Sequence, residues 1–238
     1  MSWWQQVPYF SKSYQCITFD HRMFGQSADT TGEGYSAFVK DLEGLLDHLD
    51  IDQVFLVSQS MGGRTCMPFT VAHPERIRGL VMADNIGGIG EPALVNLANE
   101  WRGKQSVGSM PRVIGGFSPD FPDRNPGGAF LYQQITGLNP PRPDAPSRVP
   151  GEGILANDLA KLKVPVLFIV GQDDPLAPPH VVREAHKLLP NSKLEVVPGA
   201  GHSVYFEKPE EFNRLVEEFF GEQIAGRLDG SPSASFVT

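Results

Sequence analysis

Residues 53–63 read Gln-Val-Phe-Leu-Val-Ser-Gln-Ser-Met-Gly-Gly and lead into Arg64-Thr65-Cys66-Met67. The β-branched and apolar run Gln53–Val57 has the character of a buried strand. The glycines after Ser60 mark a tight strand-to-helix turn, because a residue without Cβ lets backbones approach closely. Two readings of Ser60 follow. Either it caps the start of the helix, or it is the nucleophile of an elbow whose tight turn pushes one hydroxyl out of the strand end into a cleft. The elbow pattern is G-x-S-x-G, and the chain carries S-x-S-x-G. Ser58 is small enough for the first position, at the expectation of some strain.

The rest of the chain bounds what such an elbow could belong to. A chain of 238 residues can bury one sizeable core, and a single domain with an insertion is expected. With 40% hydrophobic and 20% charged residues the composition is that of an ordinary globule, and a net charge of −8 offers no basic face for nucleic acid or anionic lipid. Only Cys16 and Cys66 are present, which excludes a disulfide framework and a cysteine-rich metal site; both are expected to be buried thiols. The start Met-Ser-Trp-Trp-Gln-Gln lacks a charged region followed by an apolar one, and no stretch approaches 18 uninterrupted apolar residues, so a cytoplasmic location and no membrane partner are expected.

Short apolar runs alternate with helical patterns. Strands are expected at Cys16–Phe19, Gln53–Val57, Gly79–Ala83, Val164–Val170 and Lys193–Val197. Between them Phe38, Leu42, Leu45, Leu46 and Leu49 repeat at helical spacing, and Arg64–Ala72 reads as a helix that Pro68 would bend or interrupt. Further helices are expected around Val182–Leu189 and through Phe212, Leu215, Val216 and Phe219. This alternation predicts an α/β architecture with a mostly parallel sheet flanked by helices. Residues 86–161 break the rhythm with Gly-Gly pairs at 87, 115 and 127 and the run Asn139-Pro140-Pro141-Arg142-Pro143. A strandless stretch of this length suggests a cap or lid rather than a plain loop, with Leu94, Leu97 and Trp101 on one short amphipathic helix. The core then comprises residues 1–85 and 162–226, and residues 227–238 read as a disordered tail.

A serine nucleophile needs a base to take its proton and an acid to orient that base. Both kinds of group stand at later strand ends. Val164–Val170 runs into Gly171-Gln172-Asp173-Asp174, and Leu194–Val197 runs into Pro198-Gly199-Ala200-Gly201-His202, so the order is Ser, Asp, His. Either adjacent aspartate could be the acid; the G-x-x-D spacing favours Asp174, and Asp173 would then be a solvated or turn-stabilising side chain. His21, His48, His73, His180 and His186 read as structural or surface residues.

With these motifs in place, the chain resembles the α/β-hydrolase family over nearly all its length. Asp20-His21-Arg22-Met23-Phe24-Gly25-Gln26-Ser27 is similar to the family's D-x-R-G-x-G-x-S loop, Gly171-x-x-Asp174-x-x-x-Pro178 to its acid loop, and Gly201-His202 followed by Glu207 and Pro209 to its histidine loop. The resemblance implies Ser60 as nucleophile, His202 as general base and then acid, Asp174 as the group that holds the imidazole, and the Met61 N–H as an oxyanion donor. It also implies no metal and no organic cofactor. A Ser-His pair suits acyl transfer, so dehalogenase and epoxide hydrolase readings fall, and hydrolysis of an ester, a lactone or a carbon–carbon bond beside a carbonyl in a small acyl compound is expected.

Two departures stand beside the matches. Met23 replaces a glycine, so its long side chain either projects near the site, as a substrate-binding residue, or fills a packing gap. The chain also reads as starting downstream of the family's first strands, the last of which lies mid-sheet, between the strands at Cys16–Phe19 and Gln53–Val57, and delivers the second oxyanion N–H. Its absence is expected to leave backbone groups unpaired or to force those two strands together. The competing reading is therefore a catalytically impaired protein that binds a small ligand.

Overall fold

The computed structural model describes residues 2–104, 116–140, 153–225 and 235–237. Five parallel strands emerge where apolar runs were expected: β1 (Gln15–Ile17), β2 (Val54–Gln59), β3 (Ile77–Ala83), β4 (Val166–Gly171) and β5 (Ser192–Val197). Alternate residues of each strand face opposite sides of the sheet. Accordingly Val54, Leu56, Leu80, Met82, Phe168 and Val170 pack on one face and Phe55, Val57, Val81, Ala83, Leu167 and Ile169 on the other. Burial on both faces is why β2, β3 and β4 read as continuous apolar runs.

Helices cover both sides. On the first face lie α2 (Phe38–His48), α3 (Gly63–Ala72) and α8 (Pro179–His186), through Leu42, Leu46, Met67, Phe69, Val181 and Val182. On the second lie α1 (Val7–Phe10) and α10 (Pro209–Ala225), through Phe10, Phe212, Val216 and Phe220. Helix α3 runs through Pro68 without a break, giving up one intrahelical bond rather than ending there. Of the two thiols, Cys66 is buried and Cys16 only partly so, because β1 lies at the sheet edge.

The sheet order is β1-β6-β2-β3-β4-β5, where β6 is Ser235–Val237. This corrects two expectations. These three residues are not part of a disordered tail, and β1 and β2 are neither unpaired nor forced together. β6 lies between them, parallel to both, with Ser235 opposite Gln15 and Val54 and Val237 opposite Ile17 and Leu56. Val237 is 1% exposed and joins the core cluster of Leu56 and Met67. β6 thereby pairs Gln15–Ile17 of β1 and Val54–Leu56 of β2 on their facing edges. Residues 226–234 and 238, the remainder of the expected tail, lie outside the described residues.

Between β3 and β4 the chain forms α4 (Pro92–Lys104), α5 (Phe121–Arg124), α6 (Pro126–Gly137) and α7 (Ala156–Leu159), with Leu94, Leu97 and Trp101 on α4 as expected. Residues 105–115 and 141–152 of this insertion, including Pro141-Arg142-Pro143, lie outside the described residues. The short helix α9 (Val204–Glu207) follows the β5 loop. Among the described residues no helix is long and apolar enough to cross a membrane.

Candidate active site

All strands run the same way, so their C-terminal ends share one rim of the sheet, where α/β proteins place their ligands. Ser60 follows β2 directly. Gln59 is still extended at φ −121° and ψ 135°, whereas Ser60 takes φ 48°, in the left-handed region, before the chain turns into α3 through a 3₁₀ turn at Ser60–Gly62. A non-glycine residue there costs on the order of 1–3 kcal/mol, and the conformation turns the hydroxyl out of the strand's plane. The strain expected at Ser58 is absent: it stays in the extended strand and its hydroxyl donates to the Val81 carbonyl at 3.0 Å. A Cβ on Gly62 would meet the Ser58 Cβ at 3.5 Å, ordinary contact, so a serine fits.

His202 reaches Ser60 from the loop after β5. Its Nε2 lies 2.7 Å from Ser60 Oγ, and its Nδ1 lies 3.0 and 2.9 Å from the two carboxylate oxygens of Asp174. The tautomer follows from the partners. Asp174 Oδ1 already accepts the N–H groups of Leu176 and Ala177 at 2.7 and 2.9 Å, so the carboxylate acts as acceptor throughout. Nδ1 must then carry the ring proton, and Nε2 is the acceptor for the serine hydroxyl. Asp174 is 2% exposed, whereas Asp173 faces solvent and contributes only its N–H, to the Ala200 carbonyl at 2.9 Å. Of the two adjacent aspartates, Asp174 is the one whose carboxylate meets His202.

The glycines of both loops are required by close approach. A Cβ on Gly171 would overlap the carbonyl oxygens of Gly201 and Ala200, and one on Gly201 would overlap the backbone of Phe117 and Ser118. The absence of a Cβ at Gly171 and Gly201 lets the acid strand, the histidine loop and the insertion come together at this point. Gln59 adds a further tie, its Nε2 donating to the His202 carbonyl at 2.7 Å.

Burial disfavours the imidazolium of His202, but the charge and hydrogen bond of Asp174, with Asp84 and Glu207 behind, outweigh it, so the ring titrates above an ordinary histidine. Glu207, 6% exposed, accepts the Gly201 N–H at 2.8 Å and the Ser118 N–H and hydroxyl at 3.0 and 2.7 Å; burial raises its carboxyl. It therefore pins the insertion to the histidine loop. Trp101 of α4 pins it to the acid loop, its Nε1 donating to the Pro175 carbonyl at 2.8 Å. Neither link was visible from local sequence.

Met61 sits in the 3₁₀ turn, ahead of the first bond that closes α3, where backbone N–H groups have no intrahelical acceptor. Met23, read from the sequence as either a substrate-binding residue or a packing residue, is half-buried in the loop after β1. It adopts φ 70°, which explains why glycine suits the position, and its thioether packs 3.7–3.8 Å from where a Cβ on Gly34 would lie. Residue 238, which follows β6 at this rim, lies outside the described residues. His21, read as structural, meets Thr65 Oγ1 at 2.8 Å, and burial pushes it down to about 4, leaving it neutral. Among the described residues no cluster of His, Cys, Asp and Glu is arranged to hold a metal.

Comparison with known proteins agrees with this architecture. A profile described as alpha/beta hydrolase family matches residues 1–215. A 2-hydroxymuconate semialdehyde hydrolase of Pseudomonas putida is 30% identical, over 89% of this chain and 79% of that protein. A 3-oxoadipate enol-lactonase 2 of Acinetobacter baylyi is 26% identical, over 90% and 82%. In fold, the chain superimposes on a thermophilic esterase from Thermogutta terrifontis with a TM-score of 0.72 at 22% identity, covering 93% of this chain and 85% of that one. With a parallel sheet carrying Ser60, Asp174 and His202 on one rim and a family match over most of its length, the chain belongs to the alpha/beta hydrolase family of hydrolytic enzymes.

Proposed function

We propose that the chain is a serine-dependent hydrolase that cleaves an ester, a lactone or a carbon–carbon bond beside a carbonyl in a small, fairly apolar acyl compound. The observation that carries this reading is the relay from Ser60 Oγ through His202 to Asp174, 2.7 Å and then 2.9–3.0 Å, built on a serine held at φ 48°.

In this mechanism Ser60 Oγ attacks the carbonyl carbon while its proton passes to His202 Nε2, and Asp174 stabilises the imidazolium that forms. The Met61 N–H stabilises the oxyanion. As the tetrahedral adduct collapses, the Nε2 proton goes to the leaving oxygen or carbon. Water then attacks the acyl-serine, giving one proton to His202 and returning the hydroxyl to Ser60. Each step uses side chains already in hydrogen-bond contact.

Residues 86–161 act as a cap in this reading. Support comes from the ties of Trp101 to Pro175 and of Ser118 to Glu207, and from the Gly116 carbonyl accepting the His202 N–H. Phe117 and Tyr132, with ring centroids 4.7 Å apart, stand beside the histidine loop, where the Ser203 hydroxyl donates to Tyr132 at 3.3 Å. Aromatic side chains beside the histidine loop suit an apolar acyl group better than a charged one. The relatives named as a semialdehyde hydrolase and an enol-lactonase support the carbon–carbon and lactone branches.

The test is turnover of three probes: a p-nitrophenyl ester of a short acyl chain, a small lactone, and a vinylogous 1,5-diketone whose carbon–carbon cleavage bleaches its colour. At least one is expected to turn over, and Ser60→Ala should remove that activity. Stoichiometric binding of a probe without turnover, unaffected by Ser60→Ala, would replace this reading with that of a ligand-binding protein.

A further inference from the structure

The mechanism leaves one buried carboxylate beside the relay without a task. Asp84 is the residue immediately after β3, on the strand between those that deliver Ser60 and Asp174, and it is 0% exposed. We propose that Asp84 is a positioning residue for His202, a buried clamp whose two oxygens tie the start of the acid loop to the helix behind the histidine. The proposal rests on the reading of His202 as the base.

The geometry is specific. Asp84 Oδ1 accepts the N–H of Gly171, the last residue of β4, at 3.0 Å, and Oδ2 accepts the N–H of Val204, the first residue of α9, at 3.1 Å. Gly171 lies three residues before Asp174, and Val204 two residues after His202. One side chain therefore fixes both backbones whose spacing sets the contact of Asp174 with His202. The hold is rigid from its own side as well: Asp84 takes φ 53°, and its N–H donates to the Ile169 carbonyl at 2.8 Å. Aspartate is among the few side chains that tolerate this backbone. A glycine would meet the backbone requirement but would leave the N–H groups of Gly171 and Val204 without these acceptors.

The clamp also acts electrically. Donors face both oxygens, an arrangement that suits an ionised carboxylate, while burial and the neighbouring Asp174 push the carboxyl well above the ordinary aspartate range. The charged and titratable groups around it are Asp174 and His202 on the two loops, with Tyr132 from α6 and Tyr205 from α9; Glu207 reaches His202 from α9. When ionised, Asp84 adds to Asp174 in favouring the imidazolium of His202. Asp174 orients the ring by direct contact, whereas Asp84 holds its loop.

The test is Asp84→Asn in the full chain. The amide is isosteric but offers a single acceptor oxygen, so it must turn an N–H toward Gly171 or Val204. Two readouts follow: ester hydrolysis or fluorophosphonate labelling, and ring ¹⁵N NMR titration of His202. The expected result is a loss of about 10–100-fold in kcat, the range for a small misplacement of reacting groups, with KM little changed. His202 should also titrate at lower pH than in the unsubstituted protein. A variant with lowered Tm but unchanged kcat and unchanged His202 titration would reduce Asp84 to a structural residue and overturn the proposal. Should Asp84→Asn fail to fold, the unsubstituted protein decides through the Asp84 ¹³Cγ resonance. That signal must shift as His202 titrates, and a flat response overturns the coupling. If Ser60 in the unsubstituted protein neither labels nor turns over, the hydrolase reading fails by itself, and the NMR titration still decides the clamp.

Discussion

Asp174→Asn is the perturbation whose outcome follows most directly from the geometry. In the native site Asp174 Oδ1 accepts the N–H groups of Leu176 and Ala177 as well as facing His202 Nδ1, and Oδ2 lies 2.9 Å from Nδ1. An asparagine must keep its carbonyl oxygen where the two backbone N–H groups point, which places its NH₂ at the Oδ2 position. A donor then stands 2.9 Å from Nδ1, against the carbonyl oxygen at 3.0 Å whose lone pairs the Leu176 and Ala177 N–H groups already engage, so the tautomer with the ring proton on Nε2, toward Ser60, is favoured. The base has its lone pair on the wrong nitrogen. Holding the wrong tautomer in a Ser-His-Asp arrangement costs about 10⁴ in rate, or ~5.5 kcal/mol at ~1.4 kcal/mol per tenfold. We expect the second-order rate of Ser60 labelling by a fluorophosphonate to fall by about 10³–10⁴, with the Tm changed by only a few degrees because the side chain keeps its shape and most of its bonds. Asp173→Asn, on an exposed side chain, should leave the rate within about twofold. A loss below about tenfold in Asp174→Asn, or a larger loss in Asp173→Asn, would refute the relay as described.

Other outcomes follow from the same contacts. Labelling of Ser60 should rise with pH through a midpoint above that of an ordinary histidine, since only the neutral ring of His202 accepts the proton and its neighbours hold the pKa up. In stability the sign is opposite: the contribution of the raised pKa is complete below about pH 6.5 and is lost as pH rises through the folded-state value, which urea titrations across that window can follow. Ser60→Gly should abolish labelling yet stabilise the fold by about 1 kcal/mol, since glycine takes φ 48° without strain; a destabilised variant in urea melts would contradict the strained elbow. Val237→Asp places a charge in the core between β1 and β2 and should cost about 3–5 kcal/mol, limited by the docking energy of β6, with a Tm lowered accordingly; an unchanged Tm would argue against β6 as a sheet strand.

How much of this was legible depends on how local each signal is. The central strands β2, β3 and β4 could be read because both faces of the sheet are covered there, so their residues are apolar without alternation, whereas the edge strand β5 alternates Leu194 and Val196 with the exposed Lys193 and Glu195. Ser60, Asp174 and His202 could be placed because each sits in a short motif at a strand end, with glycines whose purpose is local. The choice between Asp173 and Asp174 stayed open in the sequence, since adjacent residues differ only in which way the loop turns them. β6 was illegible: Ser-Phe-Val is too short for a periodic signal and follows a Ser- and Pro-containing stretch that reads as tail. Only the slot between β1 and β2 gives it a partner on each side. Asp84 was illegible for another reason. Met82-Ala83-Asp84-Asn85 is an ordinary strand end, and the two N–H groups it holds come from residues 87 and 120 positions away. The strain expected at Ser58 failed because it was argued from the residue's place in a motif, whereas the backbone there stays extended.

The central claim is that the Ser60 hydroxyl gives up its proton to His202. Intact-mass and peptide-level detection of a fluorophosphonate adduct on the folded, unsubstituted protein tests it most directly, alongside Ser60→Ala and His202→Ala. The account predicts one adduct per chain, located on the peptide containing Ser60, absent in Ser60→Ala and at least about 10³-fold slower to form in His202→Ala. No adduct on a folded sample, or one that forms as fast without the imidazole, would contradict it.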